Sequence, residues 1–222
     1  MPFVLVSSPG CDAAPHWSHA FARELAALLV AAGDAVTWLA PWRSGQPRPA
    51  AVPGVELEIV PTGRPEALPL VAAASRGLPM ELVLTRCLRR SAEATVVHVG
   101  AGARGSPNVA WLAERLGAPV AAVVRGAEVV CHRGDLVDRE AHACAEFLDA
   151  ARCRRCCAGW WRAPRVSDLQ NRSDLLAASL AACRAVFVPV ERDVAMLTAF
   201  GVAARSLVVA ASAAAVAAGL PR

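Results

Sequence analysis

From residue 2 to residue 210 the chain alternates short, unbroken apolar runs with longer stretches of helical spacing, and this alternation constrains its fold most. The apolar runs are Pro2–Ser7, 35–40, 55–60, Thr95–Val99, 119–124, Ala185–Val188 and a last short one at 206–210. Each has the length and residue types of a buried strand. Between them lie helical patterns. In the first, 18–32, Ser18 is placed to cap, and Phe21, Leu25, Leu28 and Leu29 share a face before Gly33 ends the helix. Residues 66–91 read as two short helices, interrupted by Pro69, Gly77 and Pro79. Ser106 and Pro107 open a helix through Leu116, which Gly117 closes. Ser167-Asp168-Leu169-Gln170 reads as a capping box, with Leu169, Leu176, Leu180 and Cys183 facing inward. Val190, Val194 and Leu197 line one more helix, capped by Gly201.

Strands that are apolar along their whole length belong to a parallel sheet covered on both faces. With right-handed crossovers, the expected fold is α/β: a Rossmann-like, doubly wound parallel sheet in a single domain over residues 1–210, with 211–222 as an alanine-rich tail or linker remnant. Ligands are then expected at the carboxyl ends of the strands.

Composition narrows the function classes. The chain has 222 residues, 55% of them apolar and 19% charged, which suits one sizeable core and argues against general disorder. All 23 basic residues are Arg, and the net charge of +4 is too modest to favour nucleic-acid binding. No apolar run reaches the length of a transmembrane helix, and the first residues lack the basic flank of a signal peptide. The expected location is cytoplasmic, with peripheral attachment at the inner membrane face as an extension of that reading. In such a reducing compartment the 8 cysteines are not expected to form disulfides.

Regularity breaks between residues 125 and 165. Here Cys131, Cys144, Cys153, Cys156 and Cys157 follow the pattern C-x12-C-x8-C-x2-CC. A C-x2-C pair can set two thiolates on one metal ion, and two more cysteines complete a tetrahedral sulfur site that suits zinc. Cys131, Cys144, Cys153 and Cys156 are the expected ligands, with His132 and His142 as possible substitutes for the fourth. The competing reading is a set of small buried hydrophobes, the role expected of Cys11, Cys87 and Cys183. Arg152, Arg154, Arg155, Arg162 and Arg165 crowd the same stretch beside Trp160 and Trp161, with no acid from 150 to 166. They read either as an anion-binding lip or as charge balance for a zinc–thiolate centre.

Gly100-Ala101-Gly102-Ala103-Arg104-Gly105 is a G-x-G-x-x-G string between a strand and a helix, the context of a dinucleotide fingerprint. It sits at the fourth strand and not the first, so a tight turn competes with dinucleotide binding by Gly100, Gly102 and Gly105.

The order of elements resembles the N-terminal, acceptor-side domain of GT-B glycosyltransferases, in particular the glycosyltransferase 4-like group. The local matches are Gly33-Asp34-Ala35-Val36, Cys131-His132-Arg133-Gly134, and Ala185-Val186-Phe187-Val188-Pro189 followed by Gly201-Val202. Some members carry a similar Cys-x-Arg-Gly segment with cysteines downstream, which Cys131, Cys144, Cys153 and Cys156 match. The resemblance implies one half of a GT-B fold, holding the acceptor. Sugar transfer from a nucleotide-sugar would then need a donor-domain partner, and a sugar or lipid-linked acceptor is the implied second substrate. Departures bear on catalysis: many members have His-Asp where this chain has Arg125-Gly126, Gly-His where it has Gly33-Asp34, Pro-Ser where it has Pro189-Val190, and Asn-Gly where it has Ala211-Ser212.

The acceptor is expected between residues 9–18, 100–106 and 125–128, with Gly10, Ser18, Gly102 and Arg125 in contact. Asp12, His98 and Glu128 are the candidates for general base, with His16 and His19 nearby. The rival reading is a noncatalytic zinc-binding interaction module on the same fold.

Overall fold

A computed structural model describes residues 1–8, 17–42, 47–61, 78–102, 106–132, 136–137, 140–158 and 165–221. Its elements, in chain order, are β1 (Pro2–Ser7), α1 (Trp17–Ala31), β2 (Ala35–Trp42), β3 (Val55–Pro61), α2 (Leu78–Arg90), β4 (Thr95–Val99), α3 (Asn108–Arg115), β5 (Val120–Val123), α4 (Gly126–Val130), α5 (Ala150–Cys157), α6 (Val166–Ala181), β6 (Ala185–Val188), α7 (Glu191–Ala199), β7 (Leu207–Val209) and α8 (Ala213–Gly219). The strands form one seven-stranded sheet in the order β3-β2-β1-β4-β5-β6-β7. Every neighbouring pair is parallel. This is the doubly wound, Rossmann-like arrangement expected from the alternation.

The period-2 geometry of a strand divides the apolar residues between two layers. Phe3, Leu5, Trp38, Val97, Val99 and Phe187 face the layer filled by Leu25 and Leu29 of α1 and Val216 of α8. Val4, Val6, Val96, Val120 and Val186 face the opposite layer, filled by Leu84 of α2, Val109 of α3, Leu180 of α6 and Leu197 of α7. Burying Leu25 and Leu29 contributes about 2 kcal/mol each.

Several local expectations change. The buried stripe of α1 is Ser18, Ala22, Leu25, Ala26 and Leu29, while Leu28 is exposed. Ser18 is no cap: its hydroxyl donates to the Ser8 carbonyl at 3.0 Å, inside the helix it was expected to precede. Helix α6 starts earlier than the Ser167 box implies, because the Asp168 carboxylate accepts from the Arg165 N–H at 3.1 Å. Of the helical region at 66–91, the described part is the single helix α2, and residues 62–77 lie outside the described residues. Within the alanine-rich run 211–222, expected as a tail, residues Ala213–Gly219 form α8. Ser212 caps it through its hydroxyl, and Ala213 and Val216 are buried. A methyl at Gly219 would lie 2.9 Å from the Phe187 ring, so the glycine lets this helix lie close on the sheet.

Candidate functional site

The sheet order reverses direction between β1 and β4, and such a switch point opens a crevice at the carboxyl ends of the strands. Here the floor of the crevice is tied by hydrogen bonds. The Ser8 N–H donates to the Val99 carbonyl at 3.0 Å, and Gly100 N–H donates to the Val123 carbonyl at 2.8 Å. The Ser8 hydroxyl donates to the Gly100 carbonyl, and Ser18 closes over Ser8 from α1. Gly100 has φ +78°, and a Cβ there would lie 2.9 Å from the Ser18 Cβ. A Cβ on Gly102 would lie 2.9 Å from that of Glu128. Two glycines of the G-x-G-x-x-G string are therefore accounted for by close packing of the loop, which is the tight-turn reading. Gly105 lies outside the described residues.

Arg125 precedes α4, and its guanidinium stands 4.5 Å over the Trp17 ring. The Trp17 indole N–H donates to the Glu128 carboxylate at 2.5 Å. The first residue of α1 thus joins the exposed Arg125 to the half-buried Glu128 across the mouth of the crevice. An aromatic ring, a guanidinium and a carboxylate side by side can bind a hydroxyl-rich ligand through CH–π contact and paired hydrogen bonds. The carboxylate can also accept a hydroxyl proton. Trp17 was missed by sequence reasoning because it reads as a loop residue ahead of the helix; its spacing one before Ser18 was the only signal.

Gly126, in the place where the resemblance leads one to expect an acid, is also set by packing. A Cβ there would lie 2.9 Å from the Asp193 carboxylate, a buried group in the first turn of α7. A second carboxylate thus approaches the start of α4 from another part of the chain.

The other candidates separate. His98 shares the face of Val96 and is fully buried, with neither ring nitrogen hydrogen-bonded among the described residues. Burial lowers its pKa to about 4, so it is neutral and sits in the core, not in the crevice. His19 packs edge-on against Trp38 at 6.1 Å, and burial lowers its pKa. Gly10, Cys11, Asp12, His16, Trp160, Trp161 and Arg162 lie outside the described residues.

The cysteine segment leaves from the opposite end of α4. Cys131 follows the helix directly, and Asp149 caps α5 by accepting from the Ala151 N–H at 2.8 Å and the Arg152 N–H at 3.1 Å. Cys131, Cys144, Cys153, Cys156 and Cys157 line one pocket with His132. These include the four cysteines named as candidate ligands, with Cys157 beside them. Among the described residues no three His, Cys, Asp or Glu side chains converge as a ligand set. Of the neighbouring arginines, Arg152 pairs with Glu146 at 2.8 Å. Arg172 of α6 lies beside the pocket, against His132. It is buried, donates to the carbonyls of Glu128 at 3.2 Å and Val129 at 3.3 Å, and lies 3.2 Å from His132 Nδ1.

No family model matches the sequence, and no curated protein matches it. Solved structures do match in shape. A UGT transferase from Siraitia grosvenorii, solved in complex with UDP, aligns over 95% of this chain and 50% of its own, with a TM-score of 0.54 and 15% identity. The fold is GT-B-like. A UDP-N-acetylglucosamine 2-epimerase from Methanocaldococcus jannaschii aligns over 94% of this chain and 45% of its own, with a TM-score of 0.46 and 12% identity. This GT-B-like chain spans about half the length of the solved structures it matches. No helix among its described residues is long and apolar enough to cross a membrane.

Proposed function

We propose that the chain is the acceptor-side half of a glycosyltransferase of the glycosyltransferase 4-like group. It would serve sugar transfer from a nucleotide-sugar whose binding half lies outside these 222 residues. One observation carries the reading: nearly the whole chain superposes on half of a transferase. In this reading the acceptor, a sugar or a lipid-linked sugar, lies at the β1/β4 switch point. Trp17 offers an aromatic edge, Arg125 a cation for an anionic acceptor group, and the Glu128 carboxylate a base for the attacking hydroxyl. The donor half supplies the nucleotide site and closes over the crevice. The residues are held in position before any ligand arrives, since the Ser8, Ser18 and Gly100 bonds fix the floor. Preset geometry of this kind lowers the cost of ordering the acceptor.

The test is glycosyl transfer with radiolabelled nucleotide-sugars and a panel of acceptors, with and without donor-half proteins. Transfer is expected only in the mixture, and Glu128→Gln is expected to cut it by about a hundredfold. Turnover by the purified chain alone would overturn the half-site reading. So would the absence of both complex and transfer with every donor half tried.

A further inference from the structure

Helix α5 carries Cys153, Cys156 and Cys157 at i, i+3 and i+4, on one side of the helix, where with Cys131 and Cys144 they enclose a pocket. None is in a disulfide. Five sulfurs around one pocket are one more than a tetrahedral thiolate site needs.

A buried cation lies next to it. Arg172 is buried, and its described partners are two backbone carbonyls and a neutral imidazole. No carboxylate pairs with it among the described residues. A buried guanidinium with only neutral partners carries a large desolvation cost that a nearby negative centre would offset.

We propose that Cys131, Cys144, Cys153 and one of the adjoining pair Cys156 and Cys157 bind a thiophilic divalent cation of the zinc class as four thiolates, with Arg172 as its buried charge partner. Binding forms four metal–sulfur bonds and releases four protons to solvent. The centre has a net charge of −2, which the guanidinium partly offsets. The thiol groups have to rotate inward, because among the described residues they do not converge as a ligand set.

The structure also narrows the ligand choice left open by the sequence. His132 Nδ1 faces Arg172, which has only donors to offer, so Nδ1 is the acceptor and the ring proton sits on Nε2. That nitrogen then has no lone pair for a metal. His142 is exposed and stands 3.6 Å from Glu140, away from the pocket. An all-sulfur site follows. Its mechanical effect is to clamp α5 to the carboxyl end of α4. The inference is independent of the glycosyltransferase reading.

The experiment is elemental analysis of the full chain purified without added metal, with thiol titration before and after a mercurial reagent. About one zinc per chain is expected, released as the thiols react. Cobalt exchanged into the site should give thiolate-to-metal charge-transfer absorption. Cys131→Ser and Cys153→Ser should lose the metal, Cys87→Ser should keep it, and only one of Cys156→Ser and Cys157→Ser should lose it. Arg172→Gln should weaken retention against a chelator by about tenfold or more. Where a variant fails to fold by circular dichroism, the native chain decides. A folded, metal-free chain whose thiols all react freely overturns the proposal, and so does visible absorption from an iron–sulfur cluster.

Discussion

The two ends of α4 make different kinds of place. At its amino end, Arg125, Gly126 and Glu128 join a crevice in which Trp17 meets both Arg125 and Glu128, and a Cβ on Gly100, Gly102 or Gly126 would lie 2.9 Å from a neighbouring side chain. At its carboxyl end, Cys131 and His132 join a pocket lined by five cysteines, with the buried Arg172 against His132. The crevice end is held by a ring, a guanidinium and a carboxylate in mutual contact, and the pocket end by sulfurs beside a buried guanidinium. A single five-residue helix serves both, and Arg172 holds it by the carbonyls of Glu128 and Val129.

The comparison can be broken most severely at Arg172. Arg172→Met should cost about 3 kcal/mol in urea unfolding, because two carbonyls at the end of α4 lose their donors and the pocket loses its cation. An unchanged midpoint would mean that the two ends of α4 do not depend on this residue. Next comes Gly100→Ala. With φ at +78° and a Cβ forced to 2.9 Å from Ser18, a loss of about 2 kcal/mol is expected in the same assay. Preserved stability would mean that the loop is slack, and that its glycines need some explanation other than packing.

His98 supplies a pH test that belongs to the core and to neither end. Its folded pKa, about 4, is depressed below the ordinary 6.5. The unfolded chain therefore binds the extra proton in that interval, and stability is lost as pH falls from 6.5 toward 4. The slope from this residue approaches about 1.4 kcal/mol per pH unit. His98→Leu should flatten that interval and raise stability at neutral pH by about 1 kcal/mol, since two unpartnered buried nitrogens are removed. A steep slope that survives the substitution would assign it to other groups. The smallest effect is expected from Trp17→Phe, which keeps a ring beneath Arg125 but deletes the N–H donated to Glu128. It should cost about 1 kcal/mol by thermal or urea unfolding. A neutral result would show that Glu128 holds its position without the indole.

The sheet was legible in the sequence because buried parallel strands are apolar on both faces. Pro2–Ser7, Thr95–Val99 and Ala185–Val188 are strands with the bounds expected for them. The cysteines that line one pocket are those the spacing singled out as candidate ligands, with Cys157. What escaped depends on partners far along the chain. Gly126 is glycine because of Asp193, and no local pattern announces that. Ser18 looks like a cap until Ser8 arrives from β1 to accept its proton. Arg172 is the sharpest case. It falls on the same stripe as Leu169, Leu176 and Leu180, yet an arginine within a helical pattern is read as facing water. Its position on the stripe was the signal, and its charge concealed it.

The packing of α8 against α1 has a consequence for how the chain comes off the ribosome. Phe3, Leu5 and Trp38 are made early, but the layer that shields them includes Val216 and Leu220. Until residues 213–220 emerge, that side of the nascent sheet stays open to water and to other chains. A chain stopped at residue 210 would expose an apolar face that α8 otherwise covers.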